Sequence, residues 1–344
     1  MFYNAGGGGY DVPRARVLHE QLLDRLRADP GVRGAALTAR PPLSQGEAHT
    51  INVTGQAPPP GALGFLVEMS AVSPGYFGTM GIPIVSGRDF DATDRPGSRP
   101  VAVINETMAR RFWPDRDPIG QRFQPRNRKE PIEVIGVARD SKYITLGEDP
   151  APFFYAALWQ QEAPSVAPVA LIVSTRGEAE TAAPIAREAM GELDREIPFT
   201  NIATLADVVD QALWAPRTVA LLVAAFGALA LGLAAIGLYG VLSYSVSQRR
   251  QEIGLRMALG AAPRNILAMI VGRGLLWTAI GAAAGLGLAL LAASGLSSLL
   301  YGVEPSDPTT FIAAPIVLLT VAFVASYFPA RRAAGLDASQ TLRL

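Results

Sequence analysis

The chain of 344 residues contains no cysteine and only two histidines, His19 and His49. The lack of cysteine excludes a disulfide framework and a thiolate metal site. Two histidines cannot form a three-histidine zinc site, and the zinc-protease pattern HExxH does not occur. We therefore expect no metal site.

Lysine is nearly absent, which bears on nucleotide binding. A phosphate-binding loop needs a Gly-Lys pair, but Lys129 follows Arg128 and Lys142 follows Ser141. The chain also has no GxSxG element to hold a nucleophilic serine. We therefore assign no catalytic residue and no cofactor, and we expect a protein that is not an enzyme.

Charge is scarce and unevenly divided. Charged residues make up 17% of the chain, against about 25% in ordinary soluble proteins. Residues 1–216 contain 21 basic and 26 acidic residues, and residues 217–344 contain 9 and 4. The acidic half is thus joined to a basic half that is mostly hydrocarbon, which does not favour a nucleic-acid partner.

Long apolar runs dominate the second half. A helix needs roughly 20 apolar residues to cross about 30 Å of hydrocarbon. Three runs meet this length and predict transmembrane helices at about 218–247, 267–298 and 309–331. The motif GAAAG places Gly281 and Gly285 four residues apart in the second run, a spacing that favours close helix packing.

Arginine in the short loops predicts the orientation of the helices. The loop after the first span and the tail after the third are basic, whereas residues 298–308 contain two acidic residues and no basic one. Arg273 lies near the basic end of the second span, from which its side chain can snorkel. We therefore expect a multi-pass protein of the bacterial inner membrane, with residues 247–266 and the C-terminus in the cytoplasm and residues 1–216 outside it.

The first half, residues 1–216, has the pattern of an α+β domain. One amphipathic helix presents Leu18, Leu22 and Leu26 at a spacing of four and carries His19 on its flank. A second presents Ile185, Ala189 and Leu193, and each helix lies next to a strand-like segment in the sequence. These two distant segments predict one α/β subdomain, with a mostly β insert at about 65–147 between them.

Within that insert, a short helix interrupts the β-type sequence. Asn105 precedes the segment ETMARRF and is a suitable N-cap. The fold class that we predict is therefore an α+β domain in residues 1–216, followed by an all-α membrane domain of three helices in residues 217–344.

The segment SQRRQEIGLRMALGAAPRNI, residues 247–266, lies between the first two apolar runs. It is too polar to enter the bilayer, yet Ile253 and Met257 give it an apolar face. One interpretation is a basic loop that lies on anionic lipid. The other is a short coupling helix that docks into a groove of a partner protein.

Several motifs together resemble those of FtsX-like permeases, the membrane subunits of MacB-type ABC transporters. The segment QEIGLRMALGAAPRNI is similar to the signature of that family. VSPGYFGTMGIPIVSGRDF, VAVINETMARRFWPDRDPIGQRF and EVIGVARDSKYITL resemble the MacB-like periplasmic core domain, and PARRAAGLDASQTLR resembles the end of the last helix. The resemblance covers nearly the whole chain and is greatest to the orphan, duplicated permeases of the group.

The resemblance implies a permease that pairs with a separate ATPase and relays its motion to a periplasmic domain, for export or efflux. Residues 248–265 would form the coupling loop. The implied contact residues are Glu252, Ile253, Gly254, Arg256, Leu259 and Gly260. It also implies a lipid bilayer around the helices, a second permease subunit or other half, and a periplasmic partner.

The family pattern has four membrane helices, with the periplasmic domain between the first two. No apolar run precedes the domain in this sequence. We therefore expect that the chain lacks the first helix, either as a truncated gene product or as the second half of a duplicated permease. The alternative function is a transmembrane signalling or scaffold protein that regulates a periplasmic partner such as a cell-wall hydrolase.

Overall fold

The computed structural model describes residues 1–44, 46, 48–161, 167–249, 252–253, 255–256, 262–296 and 308–334. Two compact units divide the chain, Met1–Leu213 and Trp214–Leu344.

The described residues of the first unit form ten strands and four α-helices that lie entirely within it. The strands are β1 (Phe2–Tyr3), β2 (Val32–Thr38), β3 (Ala48–Val53), β4 (Phe65–Val72), β5 (Ile84–Gly87), β6 (Val101–Asn105), β7 (Arg122–Pro125), β8 (Ile132–Ala138), β9 (Phe153–Ala157) and β10 (Val169–Thr175). The helices are α1 (Val12–Ala28), α2 (Tyr76–Met80), α3 (Glu106–Phe112) and α4 (Ala182–Leu193).

The two ends of this unit together form one α/β subdomain, as predicted. Strand β10 pairs antiparallel with β1 on one side and with β2 on the other. Helices α1 and α4 pack on these strands around a shared core, in which Leu18, Leu22 and Leu26 are buried. The predicted α+β fold class is confirmed.

The buried face of α4 differs from the predicted one. Ile185, Ala189 and Leu193 are only partly buried against the core. The fully buried positions are Ala182, Ala186 and Met190. Two of these three are alanines, whose small side chains let the helix axis approach the sheet closely. The prediction relied on large apolar side chains and therefore missed the alanine face.

The β-rich part closes on itself. Strand β4 pairs with β3, and the order continues through β7, β8 and β6 to β9. Strand β9 then pairs in parallel with β4, from Glu68↔Phe153 to Val72↔Ala157. Six strands therefore form a ring that protects its edges from pairing with other chains. This ring includes β3 and β9, which lie outside the range of 65–147 predicted for the insert.

The alternation of side chains on β9 divides the core into two layers. Phe154 and Ala156 belong to a cluster on one face, and Phe153, Tyr155 and Ala157 belong to a cluster on the other. All five side chains are buried, because protein covers both faces of the strand.

Asn105 connects this sheet to helix α3. Its side-chain oxygen accepts hydrogen bonds from the amide of Met108, at 2.9 Å, and from the amide of Phe153, at 2.9 Å. Its side-chain amide donates to the carbonyl of Ala151 at 2.8 Å. The N-cap predicted from sequence is confirmed, and the same side chain also holds the start of β9.

Long apolar helices make up most of the described residues of the second unit. These are α5 (Leu205–Gln248), which starts in the first unit, α6 (Pro263–Leu296) and α7 (Pro308–Ala334). Each contains a segment long and apolar enough to cross a membrane, with mean hydropathies of 2.6, 1.7 and 2.0. Large apolar side chains are exposed along them, including Leu221, Phe226, Trp277 and Leu291.

Helix α5 starts earlier than the predicted span, at Leu205 and not at 218. Thr204 and Asp207 explain this start. The hydroxyl of Thr204 accepts from the amide of Asp207 at 3.1 Å, and the carboxylate of Asp207 accepts from the amide of Thr204 at 2.9 Å. This reciprocal pair is a capping box. The helix of 44 residues is about 66 Å long at ~1.5 Å per residue, twice the thickness of a bilayer core.

The placement of His19 differs from the predicted helix flank. The side chain is completely buried, and its Nδ1 lies 3.0 Å from the hydroxyl of Tyr3. Burial lowers the pKa of His19 to about 4. The imidazole is therefore neutral in the folded domain at neutral pH.

Acid is expected to destabilise the first unit through His19. An unfolded histidine titrates near 6.5, so the stability that neutral His19 contributes is complete above that pH. It is lost as the pH falls toward the folded pKa of about 4. The full loss in the free energy of unfolding is about 3 kcal/mol. Urea unfolding of the detergent-solubilised chain, followed by tryptophan fluorescence, measures this loss.

The variant His19→Gln is expected to have a smaller loss of stability over this pH range than the wild type. His49→Gln serves as the matched control, since His49 lies partly exposed on β3. Equal acid sensitivity in the wild type and His19→Gln would contradict the assignment.

Candidate functional site

A short helical segment follows α5 at the position predicted for the coupling loop. Glu252, Ile253, Leu255 and Arg256 are helical. Three of the predicted contact residues, Gly254, Leu259 and Gly260, lie outside the described residues.

Ile253 attaches this segment to the membrane helices. Its exposed fraction is 7%, and it belongs to a cluster with Leu242 of α5 and Ala330 of α7. The members contributed by α6 are Ile266, Ile270 and Val271. Ile253 was predicted as part of the contact surface. In the structure its side chain is buried within the chain, where it packs the segment against the membrane helices.

The charged residues of the segment face outward. Nη2 of Arg256 lies 2.6 Å from Oε1 of Glu252, one helical turn earlier. Nη1 of Arg256 lies 3.3 Å from the sulfur of Met269 on α6. Both charged side chains are nearly half exposed. A pair this exposed contributes little to stability, so a partner can engage it at small cost.

A small recess of about 40 Å³ lies beside this pair. Its charged lining residues are Arg249, Glu252, Arg256 and Arg273. Three guanidinium groups and one carboxylate therefore line the recess, which gives its described lining a net positive charge. It is too small for a ligand but suits a single carboxylate or carbonyl group from a partner surface.

Of these four charged residues, only Glu252 and Arg256 were predicted to contact a partner. Arg273 and Met269 come from α6, and Arg273 was interpreted only as a snorkelling side chain. Arg273 and Arg256 are 17 positions apart in the sequence, and they come to one recess only because the segment at 252–256 contacts α6.

Helices α6 and α7 approach each other closely at Gly274 of α6. A Cβ atom built there would overlap the hydroxyl of Ser326 on α7 and lie 3.2 Å from Leu242 of α5. The hydroxyl of Ser326 donates to the carbonyl of Ala322 at 2.6 Å, so it cannot move away without losing that bond. Gly274 was not predicted as a packing position.

The predicted packing glycines lie elsewhere on the helix. A Cβ atom at Gly281 or Gly285 would meet no other heavy atom within 4 Å in the part of the chain that the structure describes. Their expected helix contact therefore has no partner among these residues and stays a prediction about another subunit.

The described residues contain no group of three or more His, Asp or Glu side chains that could hold a metal ion.

Together, the folded α+β unit, the three apolar helices and the basic segment between two of them define an integral membrane protein with a large domain outside the bilayer.

Family models divide the chain in the same way. Residues 4–188 match the MacB-like periplasmic core domain, and residues 224–338 match the FtsX-like permease C-terminal domain. The chain therefore belongs to the family of MacB-type, FtsX-like permeases.

Curated relatives include two exporters. The macrolide export ATP-binding/permease protein MacB of Rhodospirillum rubrum is 29% identical over 335 residues, which cover 90% of this chain and 49% of that protein. The pyoverdine export ATP-binding/permease protein PvdT of Pseudomonas syringae pv. tomato is 27% identical, over 74% of this chain and 39% of that protein. The chain thus spans about half or less of the length of these relatives.

Among solved structures, the periplasmic region of MacB from Actinobacillus actinomycetemcomitans matches with a TM-score of 0.39 and 16% identity. The match covers 62% of this chain and 90% of that one.

Adding one methyl group at Gly274 is expected to destabilise the helix packing. Gly274→Ala forces the new Cβ against Ser326, and overpacking of this kind costs about 1–3 kcal/mol. The matched control is Gly272→Ala on the same helix, where a Cβ would meet no atom within 4 Å among the described residues. Thermal unfolding in detergent measures both variants.

The double variant Gly274→Ala/Ser326→Ala tests the cause, because it removes the hydroxyl that the new methyl group meets. We expect it to regain part of the lost stability. An effect of Gly274→Ala no larger than that of Gly272→Ala would show that the contact is unimportant.

Proposed function

We propose that this chain is the permease subunit of an ABC transporter and that it relays ATP hydrolysis by a separate ATPase to its extracytoplasmic domain. The observation that carries the proposal is the helical segment at 252–256. It is anchored through Ile253 to the membrane helices and presents Glu252 and Arg256 outward.

The energy source must be another polypeptide if this proposal holds. Both relatives are named ATP-binding/permease proteins, whereas this chain has no Gly-Lys pair for a phosphate-binding loop. Their names also specify export, which supports export or efflux as the direction of transport.

Helix α5 provides a route for the motion. It runs without interruption from Leu205 to Gln248, and Leu242 near its end contributes to the cluster that buries Ile253. A push on the segment at 252–256 would therefore act on α5 through packed side chains. Pro216 lies inside this helix and is a position where it can bend.

The orientation follows the distribution of arginine. Arg249, Arg256 and Arg273 line one recess at the ends of α5 and α6, consistent with the cytoplasmic side. The C-terminus would lie on the same side, and residues 1–216 would be extracytoplasmic in the inner membrane.

A second permease subunit, or the other half of a duplicated permease, is part of the proposal. The exposed apolar faces of the three helices and the open space at Gly281 and Gly285 would accommodate either this subunit or lipid. The expected periplasmic partner stays a prediction.

Single cysteines are expected to reveal the orientation, and the cysteine-free chain permits this test directly. Arg116→Cys in the first unit should react with a membrane-impermeant maleimide in spheroplasts, since Arg116 is exposed. Arg249→Cys should react only after the membrane is permeabilised. The reverse pattern of labelling would overturn the assigned topology.

Charge reversal at the segment is expected to disrupt the contact with the ATPase. Glu252→Arg and Arg256→Glu each break the ion pair, and each should lower the amount of ATPase that co-purifies from the native host about tenfold or more. Vanadate-sensitive ATPase activity of the purified complex provides the second measurement.

The double variant Glu252→Arg/Arg256→Glu separates a contact from a merely structural role. It restores an internal ion pair but presents each charge at the wrong position. If the residues contact the ATPase, the double variant stays defective. Full recovery of ATPase association would show that the pair serves only to hold the segment.

A further inference from the structure

The first unit contains a cavity of about 230 Å³ that the proposed relay does not use. It lies between the loop that follows β2, the loop that follows β8, and strand β9. Helix α2 and the first turn of α5 complete its wall. The volume fits a compact small molecule better than a polypeptide segment.

The wall of the cavity is largely aromatic. The rings of Tyr143 and Phe153 stack with their centroids 3.8 Å apart and nearly parallel. Tyr155 lies 6.1 Å from Tyr143, and Tyr76 lies 5.8 Å from Tyr155. Such a wall favours a flat or apolar body.

Arg40 gives the cavity a positive charge, and only one of its two Nη atoms pairs with a carboxylate. Its Nη1 lies 2.9 Å from the carboxylate of Glu68, and its guanidinium carbon lies 5.6 Å from the ring centre of Phe153. Its Nη2 is buried and has no hydrogen-bond partner among the described residues. A buried donor without a partner is rare in native proteins and indicates a missing acceptor.

A second buried polar atom belongs to Tyr143. Its hydroxyl is buried and lies within hydrogen-bonding reach of the hydroxyls of Ser141 and Tyr155, which are 3.3 Å from each other. Burial raises the pKa of Tyr143, so the hydroxyl stays protonated and able to donate.

The charges around the cavity have one sign. Arg40 and Lys142 line it, and none of the lining residues that the structure describes is acidic. Glu68, which pairs with Arg40, is not among the lining residues, and Lys142 donates to the backbone carbonyl of Glu148. An occupant that accepts hydrogen bonds from Nη2 of Arg40 and from the Tyr143 hydroxyl needs acceptor atoms with negative charge at one end.

The loop over Arg40 is closely fitted. A Cβ atom at Gly46 would overlap the ends of the Arg40 and Glu68 side chains, which would have to shift to admit a larger residue. Leu43, which lines the cavity, has a φ of 58°, the left-handed region that costs a leucine free energy. Backbone strain of this kind persists only where the surroundings impose it.

We propose that this cavity binds a small organic anion with an apolar body, of the class of aromatic or medium-chain carboxylates, held by Arg40 and Tyr143. The aromatic wall covers the body, and the two donors receive the carboxylate. Leu205 and Val209 of α5 also line the cavity. The occupant therefore touches the first turn of the helix that continues to Gln248.

The full chain in lipid nanodiscs is the protein for the test, with empty nanodiscs as the blank. Trifluoromethylbenzoate is the probe and trifluoromethylbenzyl alcohol its neutral counterpart, both followed by fluorine NMR. We expect saturable binding of the carboxylate and at least about tenfold weaker binding of the alcohol, because charge-assisted hydrogen bonds are lost.

Three variants locate the site. Arg40→Gln should weaken binding of the carboxylate about tenfold and leave binding of the alcohol unchanged. Tyr143→Phe should weaken it by a smaller factor. Leu146→Trp should abolish binding of both compounds, since it places a large side chain at the cavity wall. The matched control is Arg116→Gln, at an exposed arginine of the same unit.

Thermal unfolding checks that each variant is folded. If Arg40→Gln proves unstable, Leu146→Trp, which fills the cavity, still tests the proposal. Saturable binding of the carboxylate that survives Leu146→Trp would place the site elsewhere and overturn the proposal. So would binding no greater than to empty nanodiscs, or equal affinity for the acid and the alcohol. None of these results depends on the ATPase.

Discussion

The exclusion of charge from hydrocarbon is the constraint on which the second unit depends. A charged side chain near the centre of a bilayer costs several kcal/mol, and residues 218–248 contain none. Charges that must serve a function are consequently confined to the ends of the helices. Arg249, Glu252 and Arg256 lie together for this reason, and Arg273 of α6 extends into the same recess.

The segment at 252–256 and the three helices form one packed body through small and apolar residues. Ile253 is buried against side chains from all three helices. Gly274 allows α6 to approach Ser326 of α7 at a distance that no larger residue would permit. Close packing transmits displacement because interiors of this density are not easily compressed. The contacts therefore join the exposed, charged surface to α5 within the second unit.

Local signals predicted much of the fold. The N-cap at Asn105 depends on neighbouring residues alone and was predicted correctly. The capping box at Thr204 and Asp207 is equally local. The membrane span at 218–247 was predicted from the apolar run alone, so the start of the helix at Leu205 was not predicted. His19 was misplaced because a polar side chain in an amphipathic helix is normally exposed. Its burial depends on Tyr3, which a contact from a distant strand holds in place.

The sequence by itself determined that this chain is a membrane protein with an α+β domain, because apolar length, charge distribution and hydrophobic period are properties of contiguous residues. Tertiary structure alone decided the closed ring, the recess around Glu252 and the aromatic cavity. The ring requires the parallel pairing of β4 with β9, and these strands lie about 85 positions apart. The cavity likewise joins Arg40, Tyr143 and Leu205, whose proximity follows from pairing and packing that no local pattern records.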